Sequence, residues 1–237
     1  MFTLGEEIMK KLGLLVFLVV VIGSLTLVST ITGKSVASLP WFNFDVAGSG
    51  NIITEKRDVN NFKGVRAGGA TQLEITVGKE YSVELEGDDN ILPRVKTEVS
   101  GDVLRIERGG NFWSKSKLIV RITMPELNSL DLSGATQANV ANVNSSNLKI
   151  EESGASRVEI SGSAQNLDVN LSGASRLEAE NLQALRVVVD ASGASKINVF
   201  AAESFDADAS GASKIVCAGN PKVFNKDASG ASSISLK

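Results

Sequence analysis

The chain has 237 residues, a formal net charge of −3 and 43% apolar residues, enough for one all-β domain of ordinary size and a leader. Histidine is absent and cysteine occurs once, which removes His-based triads, His metal sites, the commonest general base and any intramolecular disulfide. No basic cluster is present, which argues against nucleic acid as a partner.

In chain order, Met9-Lys10-Lys11 precedes an apolar run that begins at Leu12. Followed by Ser35-Val36-Ala37, it reads as an export signal cleaved after Ala37. The rival is an uncleaved anchor, since residues 12–31 are just long enough to span a bilayer. Met9 is an alternative start, because residues 1–8 place acidic charge ahead of the basic pair. No cysteine follows the run closely, so a lipoprotein anchor is excluded. The expected organisation is an export signal or anchor at 1–37, a linker at 38–50 and a β domain at 51–237. Within that domain, 51–127 form a cap with one degenerate coil and 128–237 form regular coils.

From Trp41 to Leu130 the pattern is interrupted. Gly69-Ala70-Thr71-Gln72 parallels Gly134-Ala135-Thr136-Gln137, with Val65 and Ala67 four and two residues before Gly69, so this segment reads as a degenerate coil. Further strands are expected near 81–86, 95–99, 103–107 and 117–124, with Ser100-Gly101-Asp102 as a hairpin turn. Residues 88–94, with Pro93, hold a helical turn. The segment Asn111-Phe112-Trp113-Ser114-Lys115 is the candidate contact loop; the alternative is that Phe112 and Trp113 fold back over the cap core.

Between residues 133 and 231 the chain writes Ser-Gly-Ala followed by Thr or Ser six times, with glycines at Gly134, Gly154, Gly173, Gly193, Gly211 and Gly230. Successive spacings of 20, 19, 20, 18 and 19 residues are those of a solenoid, whose coils bury their apolar faces only by stacking. Apolar residues alternate with period two on both flanks, as in Leu148 and Ile150 before Gly154, and Val158 and Ile160 after it. That is strand and not helix. Each repeat is therefore a strand, a corner at Ser-Gly-Ala, a second strand and a return turn such as Ser161-Gly162-Ser163 or Ala218-Gly219-Asn220-Pro221. The expected fold is all-β: a right-handed, single-stranded parallel β-helix with coils of 18–20 residues and an N-terminal β cap.

The corners stack two hydroxyl columns. Ser133, Ser153, Ser172, Ser192, Ser210 and Ser229 precede the glycines; Thr136, Ser156, Ser175, Ser195, Ser213 and Ser232 follow them. They offer a polar track to a ligand or hold the corner, and the structural role is preferred. An acidic column (Asp131, Glu151, Asn170, Asp190, Asp208, Asp227) and a basic one (Arg157, Arg176, Lys196, Lys214) flank the corner. Stacked like charges repel, so mutual neutralisation across the corner is expected. Calcium on the acidic column or an anion on the basic one is the sharper alternative; isolated carboxylates in a column do not supply six to eight converging oxygens. Cys217 falls in an inward column as an apolar filler. Lys226, inward in the last coil, suits a terminal repeat.

With Arg57-Asp58-Val59, Phe62-Lys63-Gly64-Val65, Tyr81-Ser82-Val83-Glu84-Leu85-Glu86-Gly87 and Ile122-Thr123-Met124-Pro125-Glu126-Leu127 in this order ahead of Leu132-Ser133-Gly134-Ala135, the chain resembles the head GIN domain family of putative auto-transporter adhesins, found in exported bacterial proteins. The resemblance covers about residues 50–237. It implies a β-helical, extracytoplasmic protein and carries over no catalytic or binding residue.

No phosphate-binding glycine loop, CxxC pair or nucleophile elbow occurs, and no cofactor is expected. The leading expectation is a non-enzymatic, exported cell-envelope protein, periplasmic, cell-surface or membrane-anchored. Its β-helix presents a polar face for adhesion or scaffolding to a glycan or protein, and it touches a membrane only through residues 12–31 if these are uncleaved. One alternative is a polysaccharide-binding or polysaccharide-cleaving β-helix, using Asp206 with Asp208 or Glu151 with Asp190. The other is a membrane-anchored sensory or regulatory module.

Overall fold

A computed structural model describes residues 46–237. The expected signal or anchor at 1–37 and residues 38–45 of the linker lie outside the described residues. Strands appear where the period-two pattern predicts them. The first half holds β1 (Val46–Ala47), β2 (Ile52–Arg57), β3 (Gly64–Ala67), β4 (Thr71–Val77), β5 (Ser82–Asp88), β6 (Val95–Ser100), β7 (Val103–Arg108), β8 (Phe112–Trp113) and β9 (Leu118–Met124). The array follows as β10 (Ser129–Leu132), β11 (Gln137–Glu152), β12 (Arg157–Leu171), β13 (Arg176–Ala191), β14 (Lys196–Ala209), β15 (Lys214–Ala218), β16 (Val223–Ala228) and β17 (Ser233–Leu236). A 3₁₀ turn at Leu92–Arg94 carries Pro93 in its first turn, where a missing N–H costs nothing.

The array is a parallel β-solenoid, each coil pairing with the next in register. Lys149–Glu152 lies beside Asp168–Leu171, and that segment lies beside Val188–Ala191. Inward side chains form one continuous core in which Ile150, Val169, Val158, Leu177 and Ile197 are buried. Cys217 is buried among them; at the far end Leu236 is exposed although its column is inward in the preceding coils.

The Ser-Gly-Ala corner holds positive φ at every glycine, 81° at Gly154 and 82° at Gly173. A Cβ on Gly173 would meet the Gly154 carbonyl oxygen at 2.5 Å, so only glycine allows the coils to close here. The corner backbone stays paired between coils, with the Ala174 N–H donating to Gly154 O at 2.7 Å and the Ala194 N–H to Gly173 O at 2.7 Å.

At the opposite side of each coil, the expected turn at Ser161-Gly162-Ser163 is absorbed into β12. Pairing resumes there after a register shift beside Asn142, whose φ is 62°. A chain that bends through a bulge keeps its ladder bonds, whereas a free turn would leave them to solvent. The return at residues 219–222, with Pro221, does break the strand.

The degenerate coil is present: β3 pairs with β10, and β4 pairs with β11. Outside it lies a coil that comes later in the chain, with β7 parallel to β3 and β9 parallel to β4. Antiparallel strands then close this end, β6 on β7 and β5 on β9, with β2 outermost on β5. Antiparallel closure covers the sheet edges that the stacked coils would otherwise expose. The Ser100-Gly101-Asp102 hairpin joins β6 to β7 as expected.

Candidate functional site

The residue three before each corner glycine points outward, and strand register places these residues one above another. Arg66 pairs with Asp131, Asp131 with Glu151, Glu151 with Asn170, Asn170 with Asp190, Asp190 with Asp208 and Asp208 with Asp227. Neighbours in such a ladder are about 4.8 Å apart. The ends differ in partnering. Asp131 is gripped by Arg66 at 2.6 Å and Glu151 by Lys149 at 2.8 Å, whereas Asp190, Asp208 and Asp227 make no side-chain hydrogen bond or ion pair among the described residues.

Neutralisation across the corner, expected from the sequence, does not occur among the described residues. One member of the basic column is paired along its own strand instead: Arg176 bonds Glu178 at 2.5 Å, and Glu178 also accepts from Asn198 Nδ2 at 2.5 Å, while Arg157, Lys196 and Lys214 make no side-chain hydrogen bond or ion pair among the described residues. Residues two apart on a strand share a face, while the corner turns the acidic and basic columns onto different faces. Glu178 lies below the ordinary carboxylate range: desolvation opposes ionisation, and the Asn198 and Arg176 hydrogen bonds outweigh it.

A groove of about 780 Å³ runs along the acidic column from Arg66 to Asp227. Its rim carries the hydroxyls of Ser153, Ser172, Ser192, Ser210 and Ser229. All of these serines, with Ser133, Gly134, Gly154, Gly173, Gly193, Gly211 and Gly230, are solvent-exposed. The hydroxyls that brace the corner belong to the second column. Thr136, Ser175 and Ser195 are buried and donate to the carbonyl three residues back, at 2.8, 2.9 and 3.0 Å. The outer serines contribute backbone N–H groups to the coil-to-coil ladder and leave their hydroxyls beside the groove.

Ser156 departs from its column and donates to Glu152 Oε2 at 2.8 Å. Glu152 sits in an inward column between Leu132 and Leu171, is 2% exposed, and its Oε1 has no partner. Burial raises its pKa to about 7, with the Ser156 hydrogen bond pulling the other way. A hydroxyl beside a carboxylate of near-neutral pKa has the elements of a base and nucleophile. Both are sealed inside the coil, out of reach of a substrate.

The pairs considered for glycoside cleavage stand apart in kind. Asp206 and Asp208 are two apart on β14, both exposed. Glu151 and Asp190 are two rungs apart with Asn170 between them, about 10 Å by strand spacing.

The cap loop divides its aromatics. Phe112 is 6% exposed and lies 4.0 Å from the Arg108 guanidinium, which burial lowers in pKa. The Arg108 side chain in turn covers Gly69, closing the column of glycine corners. Trp113 is 47% exposed and Lys115 is exposed. Adjacent strand residues face opposite ways, which separates the pair.

Burial pushes the Cys217 thiol up to about 11. At pH 7 roughly one such thiol in ten thousand is ionised. The folded protein is expected to resist maleimide, with full labelling only in denaturant; rapid native labelling would contradict its core position.

Stacked, in-register coils with a continuous exposed ladder define a parallel β-solenoid. The chain belongs to the family described as putative auto-transporter adhesin, head GIN domain, whose sequence profile matches residues 61–221. Among solved structures it is similar to a putative adhesin from Bacteroides fragilis, at 23% identity and a TM-score of 0.67 over 81% of this chain and 99% of that one. It is also similar to a putative lipid binding protein from Parabacteroides distasonis (19% identity, TM-score 0.50, 81% and 98% coverage). A putative adhesin from the same organism matches at 18% identity, TM-score 0.50 and 81% and 99% coverage. These likenesses establish the fold. No curated protein matches the chain.

Proposed function

We propose that the chain is a non-enzymatic, exported cell-envelope protein that holds an extended ligand along its acidic groove, in the manner of an adhesin or surface scaffold. The supporting observation is the bare run Asp190, Asp208, Asp227. Like charges at strand spacing cost on the order of 1 kcal/mol per adjacent pair even in water. Asp131 and Glu151, at the other end of the column, have cationic partners, and these three have none among the described residues. The groove is long and shallow, matching a polymer better than a small molecule, and its carboxylates and hydroxyls select amino sugars or basic protein segments. Family membership and the adhesin-labelled neighbours agree with this role.

A glycan and matrix-protein binding array, run beside a hydrolase and lyase screen, tests the proposal. The expected result is binding without turnover, biased to cationic ligands and reduced at least several-fold by joint substitution of Asp190, Asp208 and Asp227 with Asn, with a melting temperature no lower than the parent's. Turnover overturns the non-enzymatic reading, and binding that ignores the triple substitution overturns the groove.

A further inference from the structure

We propose that the cap end of the solenoid rests on a lipid bilayer, with Trp113 seated in the headgroup zone. The indole is 47% exposed, yet its backbone is clamped. β8 pairs with β1, placing Val46 beside Phe112 and Ala47 beside Trp113. The Gly48 N–H donates to Trp113 O at 2.8 Å, and the next residue, Ser114, bonds Asp88 through its hydroxyl. Phe112 anchors the same two-residue strand in the cap. Trp113 is therefore held outward by a fixed ribbon, where a mobile tip would let it fold back.

Its place in the chain points to the occupant. The protein has two tryptophans. Trp41 stands in Trp41-Phe42-Asn43-Phe44, immediately before the strand that pairs with Trp113. Trp113 lies beside the strand by which the described chain enters the solenoid, and the regular coils hold no tryptophan. From Ile31, the end of the apolar run, to Val46 the chain reaches at most about 50 Å. Tryptophan concentrates at membrane interfaces because its ring is apolar and its N–H still needs a partner. Lys115 is exposed beside it and supplies a cation for anionic headgroups. Ile52 is another exposed apolar residue of this end, 45% exposed, and its cross-strand neighbour Asp88 is the acceptor of Ser114. Since Trp113 follows Ala37, it stays on the protein whether or not the leader is cleaved. It is a different surface from the acidic groove and goes beyond adhesion by that groove.

The test uses the full chain carrying Trp41→Phe, which leaves Trp113 as the sole tryptophan. Its fluorescence is read on vesicles of phosphatidylethanolamine and phosphatidylglycerol, with and without brominated acyl chains, and circular dichroism checks the β signal. The expected result is a blue-shifted emission that bromine quenches by roughly half or more, together with loss of quenching by aqueous iodide. Emission that stays red, open to iodide and blind to bromine overturns the proposal, whether or not the chain floats with the vesicles. So does shielding of Trp113 by a soluble glycan or protein in place of lipid. None of these outcomes bears on the Asn substitutions of the groove, so the two proposals fail separately.

Discussion

Replacing Glu152 with leucine is expected to stabilise the protein by about 3 kcal/mol at pH 8 and by progressively less as the pH falls toward 4.5. The side chain lies between Leu132 and Leu171 in an inward column, so leucine completes a ladder of its own kind. The sign follows from the proton. In the unfolded chain the carboxyl loses it near 4.5; in the fold, burial holds it to about 7. Below 4.5 both states are protonated and ionisation costs nothing. Between 4.5 and 7 the folded state binds the extra proton, and stability falls as pH rises. Above 7 the full penalty stands, because a charge is buried with only the Ser156 hydroxyl and an unpartnered Oε1. Chemical denaturation of the parent, Glu152→Leu and Glu152→Gln across pH 4 to 9 checks this. The parent curve is expected to bend downward between pH 4.5 and 7, and both variants to lack that component of the bend. A parent and Glu152→Leu pair that differ by a constant amount at every pH would show that the carboxyl does not titrate in the core.

The fold was legible where the chain repeats itself. Six corner glycines and period-two flanks give the coils, and the likeness of Gly69-Ala70-Thr71-Gln72 to Gly134-Ala135-Thr136-Gln137 gives the degenerate one. What was not legible concerns partners distant in the chain. That β7 and β9 stack outside β3 and β4 follows from pairings across tens of residues, and no local pattern encodes them. The passage of β12 through Gly162 without a free turn depends likewise on the neighbouring coil.

The groove was half legible. Column bookkeeping placed the acidic residues in one row, but their freedom from partners depends on the angle of the corner. A period-two rule says that Arg176 and Glu178 share a face, and applied one step further it indicates pairing along the strand. The same rule separates Phe112 from Trp113, which the sequence reading treated as one unit. Glu152 was visible as the odd residue in an apolar column. Its consequence was not, because the cost of a buried carboxyl depends on whether a partner reaches both oxygens.

Gly173→Ala is expected to break the array in its middle. Two costs combine. A left-handed conformation, φ 82° here, disfavours alanine by about 1–2 kcal/mol. The larger cost is steric: the new Cβ would stand 2.5 Å from the Gly154 carbonyl oxygen and 3.0 Å from its nitrogen, both backbone atoms that no rotamer change can move. Relief requires the coils to separate, which stretches the corner bonds from Ala174 to Gly154 and from Arg176 to Ser156. With each bond worth about 0.5–1.5 kcal/mol, the total comes to roughly 2–5 kcal/mol. Coils in a solenoid couple only to their neighbours, so the damage localises between β12 and β13 and does not spread evenly. Limited proteolysis is expected to cut near this corner, with a lowered melting temperature. Gly101→Ala is the control: it has a similar φ of 68° at the hairpin tip, but nothing lies within 4 Å of the new Cβ. It is expected to cost only the conformational part, about 1–2 kcal/mol. Equal losses in the two variants would mean that backbone conformation alone, and not the closeness of the coils, requires glycine at the corner.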